Sequence, residues 1–366
     1  AASRSVSVIV YVPRDRFSTA TRERIAQVLA ETWRGRISSF TPFFTEGPLV
    51  RVHFIVATEA AVPVDIAALE ARIAAITRTW EDQLGEALSA EGERAPALFA
   101  TYRRSFPAGY QEMFSSGRVL EDIARIERLG PGRPVAIDFY RDASLPPSRV
   151  RAAVYRFDGP IPLSERVPVL ENLGFAVIDE RSYRVTPMLA SGPREVALHD
   201  MVLEAADGGA IDTDLADARL EAAFLAVFAR EADNDPFNRL VLAAGADWRE
   251  AALMRAYAAY MRQMRSPFGP RYVAETLVRH GAMTRDVISL FRTRFDPKPG
   301  WQPAERTASE ELLRRRIETA LAGVSSLDED RILRQLVNLI GASVRTNFFH
   351  RGEDGVPPPA LAIKLA

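Results

Sequence analysis

Val8-Ile9-Val10-Tyr11-Val12 is an unbroken apolar run of strand length, and it stops against the charges of Arg14-Asp15-Arg16. Ile25, Val28, Leu29 and Trp33 then recur at i, i+3, i+4 and i+8, which predicts an amphipathic helix over about residues 20–34 with Gly35 as its C-cap. Two strand-like segments follow, ISSFTPFF and LVRVHFIVAT, with Glu46-Gly47-Pro48 as the turn between them. Ile66, Leu69, Ile73, Ile76, Trp80 and Leu84 line one side of a second helix, so the order is βαββα.

The same order returns later. RAAVYRF reads as a strand, Leu163 to Leu173 as a helix, Phe175 to Val185 and Glu195 to Glu204 as strands, and Thr213 to Arg230 as a helix. In both copies a tyrosine (Tyr11, Tyr155) precedes a loop holding an aspartate (Asp15, Asp158), and the first helix ends at a glycine (Gly35, Gly174). This is a degenerate internal repeat. Such units build antiparallel sheets with two helices on one face, the ferredoxin-like arrangement of an α+β protein. The strand Pro134 to Tyr140 completes one of the copies, and the sequence leaves open which. Ala87 to Leu129, between the copies, reads as mostly helical with a turn at Pro107-Ala108-Gly109.

From about Asp212 onward the pattern is helix after helix, punctuated at Asp235-Pro236, Ser266-Pro267, Gly281 and Asp296-Pro297-Lys298-Pro299-Gly300. Ser326-x-x-Glu329 has the spacing for reciprocal capping of the last long helix. Ile332, Leu336, Leu339, Ile340 and Val344 are its expected buried side.

Composition narrows the function classes. With 366 residues, 47% of them hydrophobic and 26% charged, the chain has material for several cores. Lys plus Arg (47) against Asp plus Glu (48) leaves no net field to draw nucleic acid or an anionic membrane. Only Lys298 and Lys364 are lysines, so the arginines reflect a compositional bias. The absence of cysteine excludes disulfides, thiolate metal sites and thiol nucleophiles, and suits a reducing cytoplasm. No apolar run approaches the roughly 18 to 20 residues of a membrane span.

Candidate chemistry is sparse. No Gly-x-Gly-x-x-Gly follows a strand, and there is no P-loop, nucleophile elbow or His-Glu-x-x-His pair. The four histidines are dispersed in sequence, and His53 and His199 fall in predicted strands as hydrogen-bonded structural residues. The expected catalytic, cofactor-binding and metal sets are therefore empty. The Arg14-Asp15-Arg16 corner supports two readings. In one, the two guanidinium groups hold a carboxylate beside the free N–H groups of a helix start while Asp15 holds an amino group. In the other, Asp15 pairs with a neighbouring arginine and Ser18 or Thr19 caps the helix. The matching loop of the second copy, Phe157-Asp158-Gly159-Pro160, has the glycine that the first lacks.

Val167 to Arg181 (VPVLENLGFAVIDER), Asn238 to Gln263 (NRLVLAAGADWREAALMRAYAAYMRQ), Ser326 to His350 (SLDEDRILRQLVNLIGASVRTNFFH) and the opening PRDRFST resemble the large bacterial NAD-specific glutamate dehydrogenases. The resemblance implies ACT-like βαββα units followed by an all-helical subdomain, in a regulatory and oligomerisation region ahead of a missing catalytic domain. The implied division is 1–86 as the first ACT-like domain, 87–132 as a helical connector and 133–211 as the second ACT-like domain, whose last helix at about 212–230 leads into the helical region. A helical subdomain at 212–358 and a strand at 359–366 complete it. It implies NAD as cofactor of the parent enzyme and none in this chain. The implied partners are the enzyme's own catalytic domain, other subunits and an amino-acid effector, without nucleic acid or membrane. Arg14, Asp15, Arg16, Asp158 and Gly159 are the effector-binding candidates. A purely structural scaffold is the competing reading.

Overall fold

The computed structural model describes residues 4–44, 46–59, 63–297, 301–353, 355–358 and 360–366; of the break read at Asp296 to Gly300, residues 298–300 lie outside the described residues. The chain forms two compact units, one of residues 1–103 and 115–120, the other of residues 104–114 and 121–366.

The first unit contains β1 (Arg4–Pro13), a single 3-10 turn over Arg14–Arg16, α1 (Thr19–Thr32), β2 (Arg36–Phe44), β3 (Leu49–Thr58) and α2 (Ile66–Thr77). Its sheet runs β1-β3-β2, with both ladders antiparallel. β3 alternates as a half-buried strand should, so Val50, Val52, Phe54 and Val56 point into a core shared with Ile25, Leu29 and Leu69 of the helices. The other face stays open, with Ile9 53% and Tyr11 59% exposed. The second helix is shorter than its apolar stripe predicts. It ends at Thr77, Arg78 is extended, and Thr79 starts α3 (Trp80–Leu88) through a reciprocal cap with Asp82. The stripe continues through this break, so periodicity alone does not reveal it. α4 (Ala95–Tyr102) follows.

The second unit opens with α5 (Ala108–Met113), and Pro107 at its N-cap makes the expected Pro-Ala-Gly turn a helix start. α6 (Ser116–Ile126) belongs to this unit from Glu121 onward. β4 (Val135–Tyr140), β5 (Arg149–Phe157), α7 (Leu163–Asn172), β6 (Phe175–Val185), the short pair β7 (Met188–Leu189) and β8 (Gly192–Pro193), β9 (Val196–Ala205) and α8 (Thr213–Phe228) come next. The antiparallel sheet order is β4-β5-β9-β6, so the strand left open in the sequence completes the second copy, paired along the outer edge of β5. α7 and α8 cover one face through Val169, Leu170, Leu220 and Phe224. The opposite face is covered too. Asp122 of α6 accepts from Tyr155 Oη of β5 at 2.6 Å and from Tyr110 Oη of α5, and Arg125 donates to Ile137 O at 2.9 Å and to Asp138. Arg151 Nη1 and Tyr140 Oη both donate to the buried Asp200, at 2.5 and 2.6 Å.

The helical end of this unit comprises a short α9 (Leu240–Ala243), α10 (Trp248–Gln263), α11 (Pro270–Arg279), α12 (Gly281–Phe295), α13 (Pro303–Leu321) and α14 (Leu327–Ala342). They share a core around Leu253, Tyr257, Leu277, Phe291, Ile332 and Leu336. α14 stops before Val344, which instead lies in β10 (Ser343–Thr346) and is 52% exposed; β10 pairs antiparallel with β11 (Ile363–Leu365). Ser326 does cap α14 through Glu329 N at 3.4 Å, but the Glu329 carboxylate turns to Arg279 and to His280, 2.7 Å away, so the expected capping is one-sided.

Candidate functional site

The two loops that follow the first strand of each copy differ in construction. In the first, Ser18 Oγ accepts from Thr21 N at 3.1 Å and caps α1. Arg16 does not pair with Asp15. It reaches Asp82 at 2.8 Å and Thr77 O at 3.3 Å, tying the corner to the break between α2 and α3. Arg16 thereby adds a cation to a carboxylate whose pKa lies below its usual value chiefly because Thr79 N–H donates to it. Arg14 and Asp15 are exposed, and among the described residues Asp15 makes no ion pair or side-chain hydrogen bond. The structure therefore separates the three charges that the sequence puts side by side.

In the second loop Asp158 (φ 61) and Gly159 (φ 112) both adopt left-handed backbone. That conformation costs an L-residue energy, and Asp is among the side chains that tolerate it. Asp158 N–H donates to Glu195 O at 3.1 Å, which keeps the turn tied to the start of β9. Beneath the loop lies a polar set: the buried Arg166 on α7 and His199 on β9, the latter 2% exposed, with the half-buried Glu180 and the exposed Ser182 on β6. Arg166 donates to Ile161 O and to Glu180, so one guanidinium fixes both the loop end and the strand. His199 Nε2 accepts from Ile161 N at 3.3 Å, which leaves the neutral ring's proton on Nδ1, 2.7 Å from Ser182 Oγ and 3.2 Å from Glu180. Burial first, and then Arg166, hold this imidazole below its usual pKa against the pull of Glu180.

Ser, His and Glu together invite comparison with a hydrolytic triad, and the geometry excludes it. A general base must present a lone pair to the hydroxyl, while the carboxylate orients the ring from its other nitrogen. Here serine and glutamate both sit at the protonated Nδ1, and Nε2 is held by backbone. The set positions a loop. It leaves two groups unmatched, because Arg166 Nε and Glu180 Oε2 are buried without a hydrogen-bond partner.

Matches to family models follow the chain in order. They are the glutamate dehydrogenase ACT2 domain (residues 1–81), helical motif 2 (84–129), ACT3 domain (134–216) and helical motif 3 (232–297), then the bacterial NAD-glutamate dehydrogenase catalytic domain (316–366). The chain belongs to the NAD-specific glutamate dehydrogenases. The NAD-specific glutamate dehydrogenase of Halomonas elongata is 39% identical over 368 residues, covering 98% of this chain and 22% of that protein. The Pseudomonas aeruginosa enzyme is 35% identical over 357 residues (95% and 22%), and the Mycobacterium tuberculosis one 29% over 369 residues (94% and 22%). The chain thus spans about a fifth of the length of these glutamate dehydrogenases.

Within this glutamate dehydrogenase sequence, the Arg14 to Arg16 corner falls in the ACT2 match and the Asp158-Gly159 loop, with the polar set beneath it, in the ACT3 match. The described residues do not fit NAD. All their strand ladders are antiparallel, whereas a dinucleotide site of the doubly wound kind needs a parallel strand–turn–helix unit with a glycine-rich turn. Among the described residues no group of three or more His, Asp or Glu is arranged to hold a metal ion. Among the described residues no helix is long and apolar enough to cross a membrane. Sequence reasoning did not bring Arg166, Glu180 and Ser182 together with His199. Their one visible signal is the His-Asp pair inside the otherwise apolar VALHDMVLEA of β9.

Proposed function

We propose that this chain is the regulatory and oligomerisation region of an NAD-dependent glutamate dehydrogenase and that its 157–161 loop responds to an amino acid. In this reading the parent enzyme oxidatively deaminates L-glutamate to 2-oxoglutarate and ammonia in the cytoplasm, with NAD bound outside this chain. Its partners are the enzyme's catalytic domain and further subunits.

The observation that carries the effector reading is the unmatched pair under the loop. Arg166 Nε and Glu180 Oε2 each lack a partner while buried, at a cost of about 1–3 kcal/mol per group. An α-amino acid offers the complementary groups, a carboxylate for the guanidinium and an ammonium for the carboxylate. Asp158, exposed at the crest, supplies a second acceptor for the ammonium, and the space beside Gly159 is open. Arg14, Asp15 and Arg16 make the weaker candidate, since Arg16 is already engaged by Asp82. A second reading, assembly without a ligand, is favoured for the first unit by the apolar residues on its open sheet face.

Calorimetry and thermal denaturation of the chain against the common amino acids test the proposal, because a ligand specific to the folded state raises its melting temperature. The expected result is a shift with at least one amino acid that is lost in Gly159→Val and Asp158→Ala. Absence of any shift, with self-association abolished by Tyr11→Glu, would leave only the assembly reading.

A further inference from the structure

A cavity of 330 Å³ lies in the helical end of the second unit, lined by the start of α10, the last turns of α12 and the segment after β10. Its size is at the lower end of small-molecule sites. Trp301, Phe348 and Phe349 supply aromatic surface, and Arg249, Arg292 and Arg351 supply cations. None of the five candidate residues lines it.

The three arginines are not equivalent. Arg292 is committed, since it donates to Glu250 and lies 3.8 Å from Asp247. Arg249 and Arg351 form no ion pair among the described residues. The carboxylates of the lining are engaged: Asp247 accepts from Glu250 N at 2.8 Å as the cap of α10, and Asp296 has interactions of its own.

The two unpaired cations meet at one residue. The Arg249 guanidinium carbon lies 4.5 Å from the centre of the Phe348 ring, and Arg351 Nη1 donates to Phe348 O at 3.3 Å and to His350 O at 3.0 Å. Phe348 is itself fixed, 5% exposed and edge-on to Phe291 with ring centres 5.4 Å apart. Stacking on this ring occupies a face of the Arg249 guanidinium and leaves its in-plane N–H donors available. Burial first, and then Arg351, hold Arg249 below its usual pKa against the pull of Asp247. A guanidinium keeps its proton at neutral pH all the same, so the two cations repel each other until an anion enters.

We propose that this cavity binds an aromatic carboxylate, with the carboxylate between Arg249 and Arg351 and the ring against Trp301 and Phe349. In-plane guanidinium donors suit a carboxylate, and the aromatic walls favour a flat apolar body over a compact inorganic anion. Arg249 falls in the helical motif 3 match, and Phe349 and Arg351 fall in the catalytic-domain match. The ligand would therefore join these two parts of the chain, independently of the 157–161 loop.

The test is titration calorimetry of the whole chain with benzoate, acetate and inorganic phosphate at matched ionic strength. Benzoate is expected to bind at least 10-fold more tightly than either of the others. Arg351→Gln, at an exposed position and so compatible with folding, is expected to weaken benzoate at least 10-fold with an unchanged melting temperature, and Arg249→Gln to weaken it as much. Gly159→Val is expected to leave benzoate binding as it was, and its loss there would assign the binding to the other loop and overturn the proposal. Benzoate binding that survives both arginine substitutions overturns the site. Acetate or phosphate binding as tight as benzoate overturns the choice of an aromatic carboxylate, and no benzoate binding at millimolar concentration overturns the proposal outright.

Discussion

The first sheet buries one face, and the second buries two. β3 of the first alternates buried and half-buried positions, and Ile9 and Tyr11 look outward from β1. β9, its counterpart, is buried at nearly every position, because α7 and α8 pack on one side and α5 and α6 on the other. Covering the second face required polar groups to enter, and they are matched, Asp122 with two tyrosines and Asp200 with Arg151 and Tyr140, while on the α7 side Glu180 meets Arg166 and His199. The lesson is that one topology carries two kinds of stability. The first unit relies mainly on apolar area, with Thr58 Oγ1 donating to Trp33 O as a buried hydrogen bond, and the second adds many more buried hydrogen bonds, whose loss is penalised more than their presence is rewarded.

The sharpest way to break that contrast is Arg166→Ala. It leaves Glu180 charged, half-buried and without its cation, and should cost about 3–5 kcal/mol in a urea unfolding series. Asp122→Ala comes next, at about 2–4 kcal/mol, since two buried phenol groups lose their acceptor. Asp122→Asn, which keeps acceptor atoms, should cost less. A loss below 1 kcal/mol for both alanine variants would show that the buried polar groups of the second unit are no more important than surface ones.

Acid titration gives a smaller effect with a definite sign. His199 and His280 are both held below 6.5, in each case first by burial and next by a neighbouring arginine, Arg166 or Arg279. Each is therefore more easily protonated when unfolded. Their contribution is fully present above 6.5 and declines as the pH falls towards the lowered folded-state values. His199→Gln should flatten this part of the stability-against-pH curve, and an unchanged slope would contradict the assignment. Asp142, held at about 2 first by the Ser144 hydroxyl and then by Arg151, acts lower down: its share is present above 3.8 and fades as the pH approaches 2. The smallest effect belongs to the first loop. Asp15→Ala should change stability by less than about 0.5 kcal/mol, and Arg16→Ala by roughly 1 kcal/mol at most, because the Asp82 pair is part-exposed.

Where structure follows local pattern, the sequence was enough. The stripe Ile25, Val28, Leu29 and Trp33 and the alternation of LVRVHFIVAT each dictate one element and one buried face. The failures share a cause. Thr79-x-x-Asp82 interrupts a helix whose apolar stripe runs on, so a local capping interaction outweighed the period. Val344 follows α14 without a break in hydrophobicity and leaves the helix because Ser343 to Thr346 pair with a strand beyond residue 360. The candidate site was legible only at its rim. Asp158 and Gly159 have turn chemistry, whereas Arg166, Glu180 and His199 sit on three elements and meet through a register that no spacing encodes. Arg14, Asp15 and Arg16 looked like a cluster because they are adjacent, and tertiary contacts drew Arg16 away.

The central position of β9 also has a consequence for exchange with solvent. Its amides bond to β5 on one side and β6 on the other, so deuterium reaches them only when the whole sheet separates. β2, at the edge of the first sheet, can release its hydrogens by fraying from β3 alone. An isotope-exchange time course would therefore mark β2 within its earliest points and leave β9 protonated until the second unit opens as one body.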